Sequence, residues 1–365
     1  MNNSCNILLV TAHRPSKTAG PVETVSGSDA IILDNSSNFL IKYVFFVKKL
    51  FTKFYQSDYD VIVVNGMNLI GLISVLVGQI TSTPVIVRIG GNIWLRSRER
   101  MNQYWNERSP LRLMKYILRF VISRVVQSTV AGFITVSGDL RQKTIKNTNI
   151  SDSCVKVVRT PVQQDLYASE YLSGSLPCIE ANKTFLLTVS NFKFPAKYEG
   201  VVKILDDVVP LLKEREDLVY VIAGGGRYLP ALEQYVEKIN TDNIRLLGYV
   251  ENIKEIYACG DIFVYVSYND GYPNVMLEAA AAGLPRIANT ACGLPEQVED
   301  GVDGILVDSD WEEGALREVV ESLVNDPERA SKMGGSAKKR VLTNNNKQKI
   351  GRDFHNTVEE ILENC

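Results

Sequence analysis

Short runs rich in isoleucine and valine alternate with helical segments twice along this chain, and one polar stretch separates the two series. Strands that alternate with helices of 10–20 residues pair in parallel, because each helix returns the chain to the same end of the sheet, so the pattern dictates an α/β fold of doubly wound sheets. In the first series, strands are predicted at Asn6–Thr11, Asp60–Asn65, Pro84–Ile89, Gly132–Ser137 and Val155–Arg159, with helices at Phe39–Tyr55, Leu69–Gln79, Pro110–Ser128 and Leu140–Lys146. The second series starts at Thr184 and runs strand, helix, strand through Gly304–Val307 and a helix at Glu312–Asn325, with short helices expected at Ile253–Cys259 and Pro295–Glu299. Residues 163–182 are polar, with scattered Ser, Gly and Pro, and read as a linker. The expected domains are 1–164 and 182–345, with a last helix at 346–365 that has the first domain as its candidate neighbour. A chain of 365 residues is long enough for two separate cores.

In such sheets ligands sit at the carboxyl ends of strands, which points in the first half to the loops Thr11–Gly20, Asn65–Asn68 and Arg88–Asn92. His13, Gly20, Gly90, Gly91 and Asn92 are therefore acceptor or cleft candidates. In the second half the informative stretch is Ser267–Gly283. Asn-Asp-Gly and Pro273 break structure, Val275–Ala282 favours a helix, and Gly283 closes it. Asp270 and Glu278 then flank a helix N-terminus whose amides, at Val275, Met276 and Leu277, attract an anion. Acids repel a phosphate, so they are better suited to hydroxyl groups on either side of it. Hydroxyls, phosphate, hydroxyls describe a sugar nucleotide; a capped surface helix is the other reading of the same pattern.

Charge is distributed unevenly. The net charge is −2, yet residues 1–160 hold 20 basic and 9 acidic side chains, a surplus of +11. Phe39–Tyr55 interleaves four lysines with seven aromatics, and 96–124 adds a second basic stretch with aromatic neighbours. Helices of that composition suit an anionic membrane surface, and no nucleic-acid-binding signature accompanies them. The six cysteines form no C-x-x-C pair and only two histidines are present, so neither a disulfide framework nor a metal site is expected and a cytoplasmic setting, on the inner face of the membrane, is anticipated. No run reaches the length of a bilayer span.

The stretch 267–278, followed by Gly283-Leu284-Pro285, Cys292-Gly293-Leu294-Pro295-Glu296, Asp300-Gly301 and Gly304-Ile305-Leu306-Val307, resembles the nucleotide-sugar half of retaining GT-B glycosyltransferases of the glycosyltransferase family 4 type. Ala223-Gly224-Gly225-Gly226, Gly248-Tyr249-Val250 and Lys197 with Gly200 agree with it. The resemblance is specific over 184–308 and thinner elsewhere. It implies two Rossmann-like domains facing across a cleft, a nucleotide-diphosphate sugar donor without cofactor or metal, and a glycan or lipid-linked acceptor. It also implies that the family's E-x7-E acids fall on Asp270 and Glu278. Asp270 and Lys197 would form the catalytic pair, with Glu278, Gly271, Asn274, Val275, Met276, Leu277, Asn191, Lys193, Gly248, Tyr249 and Val250 holding the donor. Three departures stand out: Asp270 where the family has glutamate, Asn191 where it has arginine, and Arg88–Asn92 where it often carries a histidine. A 2-epimerase-like enzyme that does not transfer the sugar, and a catalytically weak sugar-nucleotide-binding subunit, remain open alternatives.

Overall fold

A computed structural model describes residues 5–11, 28–33, 39–162, 180 and 182–365. The chain divides into two compact units, unit 1 comprising 1–161 with 347–365 and unit 2 comprising 162–346. His13, Gly20 and most of the expected linker lie outside the described residues.

Among the described residues of unit 1, the strands β1 (Ile7–Thr11), β2 (Ser28–Ile32), β3 (Val61–Asn65), β4 (Val85–Ile89), β5 (Gly132–Thr135) and β6 (Val155–Val157) form one sheet in the order β2-β1-β3-β4-β5-β6. Its helices are α1 (Phe39–Gln56), α2 (Leu69–Thr81), α3 (Ile93–Asn106), α4 (Pro110–Gln127) and α5 (Gly138–Asn147). Every pairing is parallel. Ile7, Leu9, Val61, Val63, Ile86 and Ile134 form one face, and the last helix of the chain, Lys347–Asn364, covers it with Ile350, Phe354, Val358 and Ile361. That spacing of four, four and three residues makes one helical stripe. Each such side chain contributes about 1.5–3 kcal/mol on burial.

Unit 2 repeats the architecture with β7 (Thr184–Val189), α6 (Pro195–Glu214), β8 (Leu218–Ala223), α7 (Leu229–Ile239), β9 (Ile244–Gly248), α8 (Ile253–Cys259), β10 (Ile262–Tyr265), α9 (Asn274–Ala282), β11 (Arg286–Asn289), β12 (Gly304–Val307), α10 (Ala315–Val324) and α11 (Pro327–Asn344). The sheet order is β12-β11-β10-β7-β8-β9. The order reverses between β7 and β10, and in unit 1 between β1 and β3. The chain's final helix, α12, is the one packed on unit 1.

Three expectations are corrected. Residues 295–299 form turns, not a helix: Leu294 and Gln297 amides bond three residues back, and the Gln297 carbonyl is taken by the guanidinium groups of Arg286 and Arg340 at 2.8 and 3.1 Å. The polar segments 93–106 and 327–344 are helices that weak periodicity concealed. Within the second, Gly334 looks like a helix breaker, but a β-carbon there would come within 1.9 Å of the Gly283 carbonyl oxygen. Close packing of α11 on the end of α9 requires it. Finally, Cys154 and Cys365 form a disulfide, with Cα atoms 6.0 Å apart, that ties the end of α12 to the segment preceding β6. A sequence separation of 211 residues leaves no spacing signal for that pairing.

Among the described residues no helix is long and apolar enough to cross a membrane. The exposed large apolar side chains are concentrated all the same: among the described residues 15 of 17 lie on α1–α4 of unit 1, and two, Tyr249 and Val302, lie in unit 2. On α4, Leu111, Met114, Leu118, Val121 and Val125 share one stripe at helical spacing. The neighbouring helices α2, α3 and α4 pack side by side, and α1 joins α2.

Candidate active site

The switch point of the second sheet collects the polar residues of unit 2. A crevice opens there because the crossovers after β7 and β10 leave to opposite sides, and ligand loops at that point come from both strands. The crossover after β7 supplies Lys197, three residues into α6. β10 ends on Tyr265, and the crossover after it supplies Ser267 and Asp270.

These four side chains meet. The Lys197 ammonium donates to the Asp270 carboxylate and to the Tyr265 hydroxyl, and lies 3.4 Å from Ser267 Oγ. Tyr265 donates to Asp270 Oδ2 at 2.7 Å. The ammonium also sits 4.8 Å from the centre of the Tyr265 ring, over which a cation is favoured. Lys197 and Asp270 keep only 11% and 21% of their side-chain surface, so water screens the pair weakly. Burial pushes the Tyr265 hydroxyl well above its usual pKa, which keeps it a neutral donor. Lys197 and Asp270 were expected from the sequence. Tyr265 and Ser267 were not, since a tyrosine ending a strand of four apolar residues carries no signal of its own.

Glu278 is placed elsewhere on α9, where it accepts from the Tyr257 hydroxyl at 3.0 Å. The N-terminus of α9 has no side-chain cap. One of its three expected anion-binding amides is engaged, since Met276 donates to the Pro273 carbonyl at 3.2 Å. The side chains of Met276 and Leu277 are buried in the core of unit 2, so these two residues offer only their backbone to a ligand. Gly271 is buried, Asn274 opens the helix, and the Asp270 carbonyl accepts from Gly293.

The loop 224–226 closes over the end of β7. A β-carbon at Gly224 would come within 1.7 Å of the Ser190 carbonyl, and one at Gly226 within 2.3 Å of Phe192, so side chains are excluded at both positions. Gly224 donates to Gly248, which fixes Gly248-Tyr249-Val250 beside it; Tyr249 is 80% exposed. Asn191 uses its side chain to accept from the Lys193 amide at 3.1 Å, an Asx turn that leaves both residues exposed. In unit 1, Gly90, Gly91 and Asn92 follow β4, and Asn92 caps α3 through the Leu95 amide at 3.0 Å.

Two six-stranded Rossmann-like units of this topology match glycosyltransferases of the GT-B fold. Residues 183–326 match the family described as Glycosyl transferases group 1. The chain is 25% identical to N-acetyl-alpha-D-glucosaminyl L-malate synthase of Bacillus anthracis over 50% of its own length and 47% of that protein, so it spans less than half of this relative. It is 19% identical to the capsular polysaccharide biosynthesis glycosyltransferase CapM of Staphylococcus aureus, over 84% of this chain and 79% of that one. In three dimensions it resembles Anabaena Alr3699/HepE, solved in complex with UDP, with a TM-score of 0.71 and 16% identity over 97% of this chain and 99% of that one.

Proposed function

We propose that this chain is a nucleotide-sugar-dependent glycosyltransferase of polysaccharide or glycoconjugate synthesis, acting with retention on a glycan or lipid-linked acceptor. The convergence of Lys197 and Asp270 from two crossovers at the switch point, inside the segment that matches the glycosyltransferase family, carries the reading. In the reaction the acceptor hydroxyl oxygen bonds to the anomeric carbon while the bond from that carbon to the diphosphate oxygen breaks. The hydroxyl proton passes to the departing oxygen, on the face from which the acceptor attacks. Lys197 stabilises the charge that grows on the diphosphate, and Asp270 with Tyr265 holds the ammonium in place beforehand, so little reorganisation accompanies the step. Glu278, oriented by Tyr257, accepts from ribose hydroxyls. The positive field comes from the chain's own groups, and the reading invokes no metal.

Lys197→Ala should lower turnover by about 10²–10³-fold with a smaller change in donor affinity. Glu278→Ala should weaken nucleotide diphosphate binding by roughly tenfold or more. Unchanged turnover in the first and unchanged affinity in the second would overturn the site assignment, and a product of inverted anomeric configuration by NMR would overturn retention.

The exposed apolar stripe on α4, together with α1 and the +11 balance of residues 1–160, supports peripheral contact with an anionic membrane, on whose inner face a lipid-linked acceptor is presented. Co-sedimentation with vesicles containing phosphatidylglycerol at low salt tests this; protein that stays in the supernatant refutes it.

A further inference from the structure

Unit 1 contains a charge that the reading above leaves unused. Arg88, near the carboxyl end of β4, is only 6% exposed, and among the described residues its guanidinium has neither a hydrogen bond nor an ion pair. Burial alone lowers its pKa to about 10, with no nearby acid to raise it. Its neighbour in the parallel ladder is Asn65, the last residue of β3, whose side-chain Nδ2 is buried and without a partner. Residues in register on adjacent parallel strands project to one face, so the partnerless Asn65 amide stands beside the Arg88 side chain, whose small remaining exposure leaves it open to a ligand.

A cation held this deep without a protein acceptor is unfavourable unless water or a ligand satisfies it. Among the described residues a second deeply buried guanidinium has protein acceptors for its terminal nitrogens, its Nε alone being without one. Arg286, 2% exposed, donates to Asp303 at 2.7 Å and to the Gln297 carbonyl at 2.8 Å. Arg88 and Asn65 lie instead beside the switch point of the first sheet, between β1 and β3, where a crevice opens at the carboxyl ends. Backbone there is held in place by the Gly66 amide, which donates to the Arg88 carbonyl at 3.1 Å. There is also room, since a β-carbon on Gly66 or on Gly90 would meet nothing within 4 Å.

We infer that Arg88 and Asn65 form an oxyanion-binding site at the carboxyl end of the first sheet, recognising a phosphate or carboxylate group of the molecule that unit 1 binds. A guanidinium and a side-chain amide are complementary to two oxygens of one such group. The site itself stands on unit 1 alone. That the molecule is the sugar acceptor rests on the glycosyltransferase reading, and an acceptor that carries an anionic group beside its hydroxyl is then the substrate class.

The test is calorimetric titration of the whole protein with inorganic phosphate and with acetate, at constant ionic strength in chloride, comparing wild type with Arg88→Gln and Asn65→Asp. The second variant places a carboxylate against Arg88 and so supplies an internal partner. Lys197→Ala is titrated as well, so that phosphate held in unit 2 is told apart. The expected result is an affinity for at least one of the two anions that falls tenfold or more in Arg88→Gln and in Asn65→Asp and is kept in Lys197→Ala. Both unit 1 variants should also unfold at a higher temperature than wild type in chloride buffer without phosphate or acetate, because the first removes the buried charge and the second pairs it, whereas a purely structural Arg88 would lower it. If Arg88→Gln does not fold, Asn65→Asp decides alone. Identical titrations in wild type and the unit 1 variants, or no response to either anion, overturn the site. Nucleotide diphosphate binding retained in the unit 1 variants keeps that failure separate from failure of the donor reading.

Discussion

Unit 2 gives the terminal nitrogens of its buried guanidinium an acid and a carbonyl, whereas unit 1 gives Arg88 neither among the described residues. Arg286 shares Asp303 with Arg340, and the three groups close a network around the turns at 295–299. Arg88, equally deep in a sheet of the same topology, faces an amide nitrogen that is also unpaired. The surfaces differ in parallel. The helices α1–α4 of unit 1 expose a broad set of large apolar side chains in a basic half of the chain, while unit 2 is acidic and exposes two. The contrast teaches that one architecture can be completed internally or left to be completed by what it binds. Unit 2 carries a preformed Lys197–Asp270–Tyr265 cluster; unit 1 sets the partnerless Asn65 amide beside Arg88 and exposes apolar helix faces.

The contrast can be broken by experiment. Asp303→Ala should cost about 3–5 kcal/mol of stability in chemical denaturation, since it strands Arg286 without its counter-charge, the opposite sign to that expected for Arg88→Gln. Equal signs for the two would remove the distinction between a satisfied and an unsatisfied arginine. Opening the Cys154–Cys365 bond by Cys154→Ser should cost about 2–4 kcal/mol, read as a shift confined to unit 1 if the two units unfold separately. No loss would mean that the packing of Ile350, Phe354, Val358 and Ile361 suffices to hold the last helix. The double change Leu118→Glu with Val121→Glu should reduce partitioning onto anionic vesicles roughly tenfold and leave nucleotide binding unaltered. Unreduced partitioning would detach the apolar stripe from any membrane role.

A smaller effect sharpens the picture within unit 1. The Asp29 carboxyl accepts from Lys53 at 2.8 Å and from Tyr59, and these bonds, the lysine's first, hold its pKa below the ordinary 3.8. A carboxyl depressed in the folded state stabilises it at neutral pH, and that contribution fades as the pH falls below about 4. Melting temperatures of wild type and Asp29→Asn should therefore differ slightly near neutrality and converge towards pH 3. A gap that widens on acidification would contradict the assignment.

Much of the fold was legible because its elements announce themselves by period. The Ile and Val runs of β1, β3, β4 and β5 and the stripe of α6 need no tertiary information to be found. The edge strand Ser28–Ile32 was missed because it opens on two polar residues and is only partly buried, so its brief apolar run shows no period. The helix 327–344 was missed because its Gly334-Gly335 pair lowers helix propensity, and only contact with α9 explains the glycine. Of the candidate site, Asp270 and Glu278 were legible from residue type and spacing and Lys197 only through the family resemblance, while Tyr265, Ser267 and Tyr257 were visible only once the strands and helices were placed.

By itself, then, the sequence determined the alternation of strands and helices, the two parallel sheets that alternation demands, and the pair of acids around the α9 N-terminus. These follow from interactions within a few residues along the chain. The tertiary structure alone decided that Lys197 and Asp270, 73 positions apart, share one ion pair, that Cys154 meets Cys365 across 211 residues, and that Arg88 lies buried beside Asn65 without an acceptor. Each depends on which strand lies next to which. Strand order is set by burial summed over a whole sheet, a quantity that no local stretch of sequence contains.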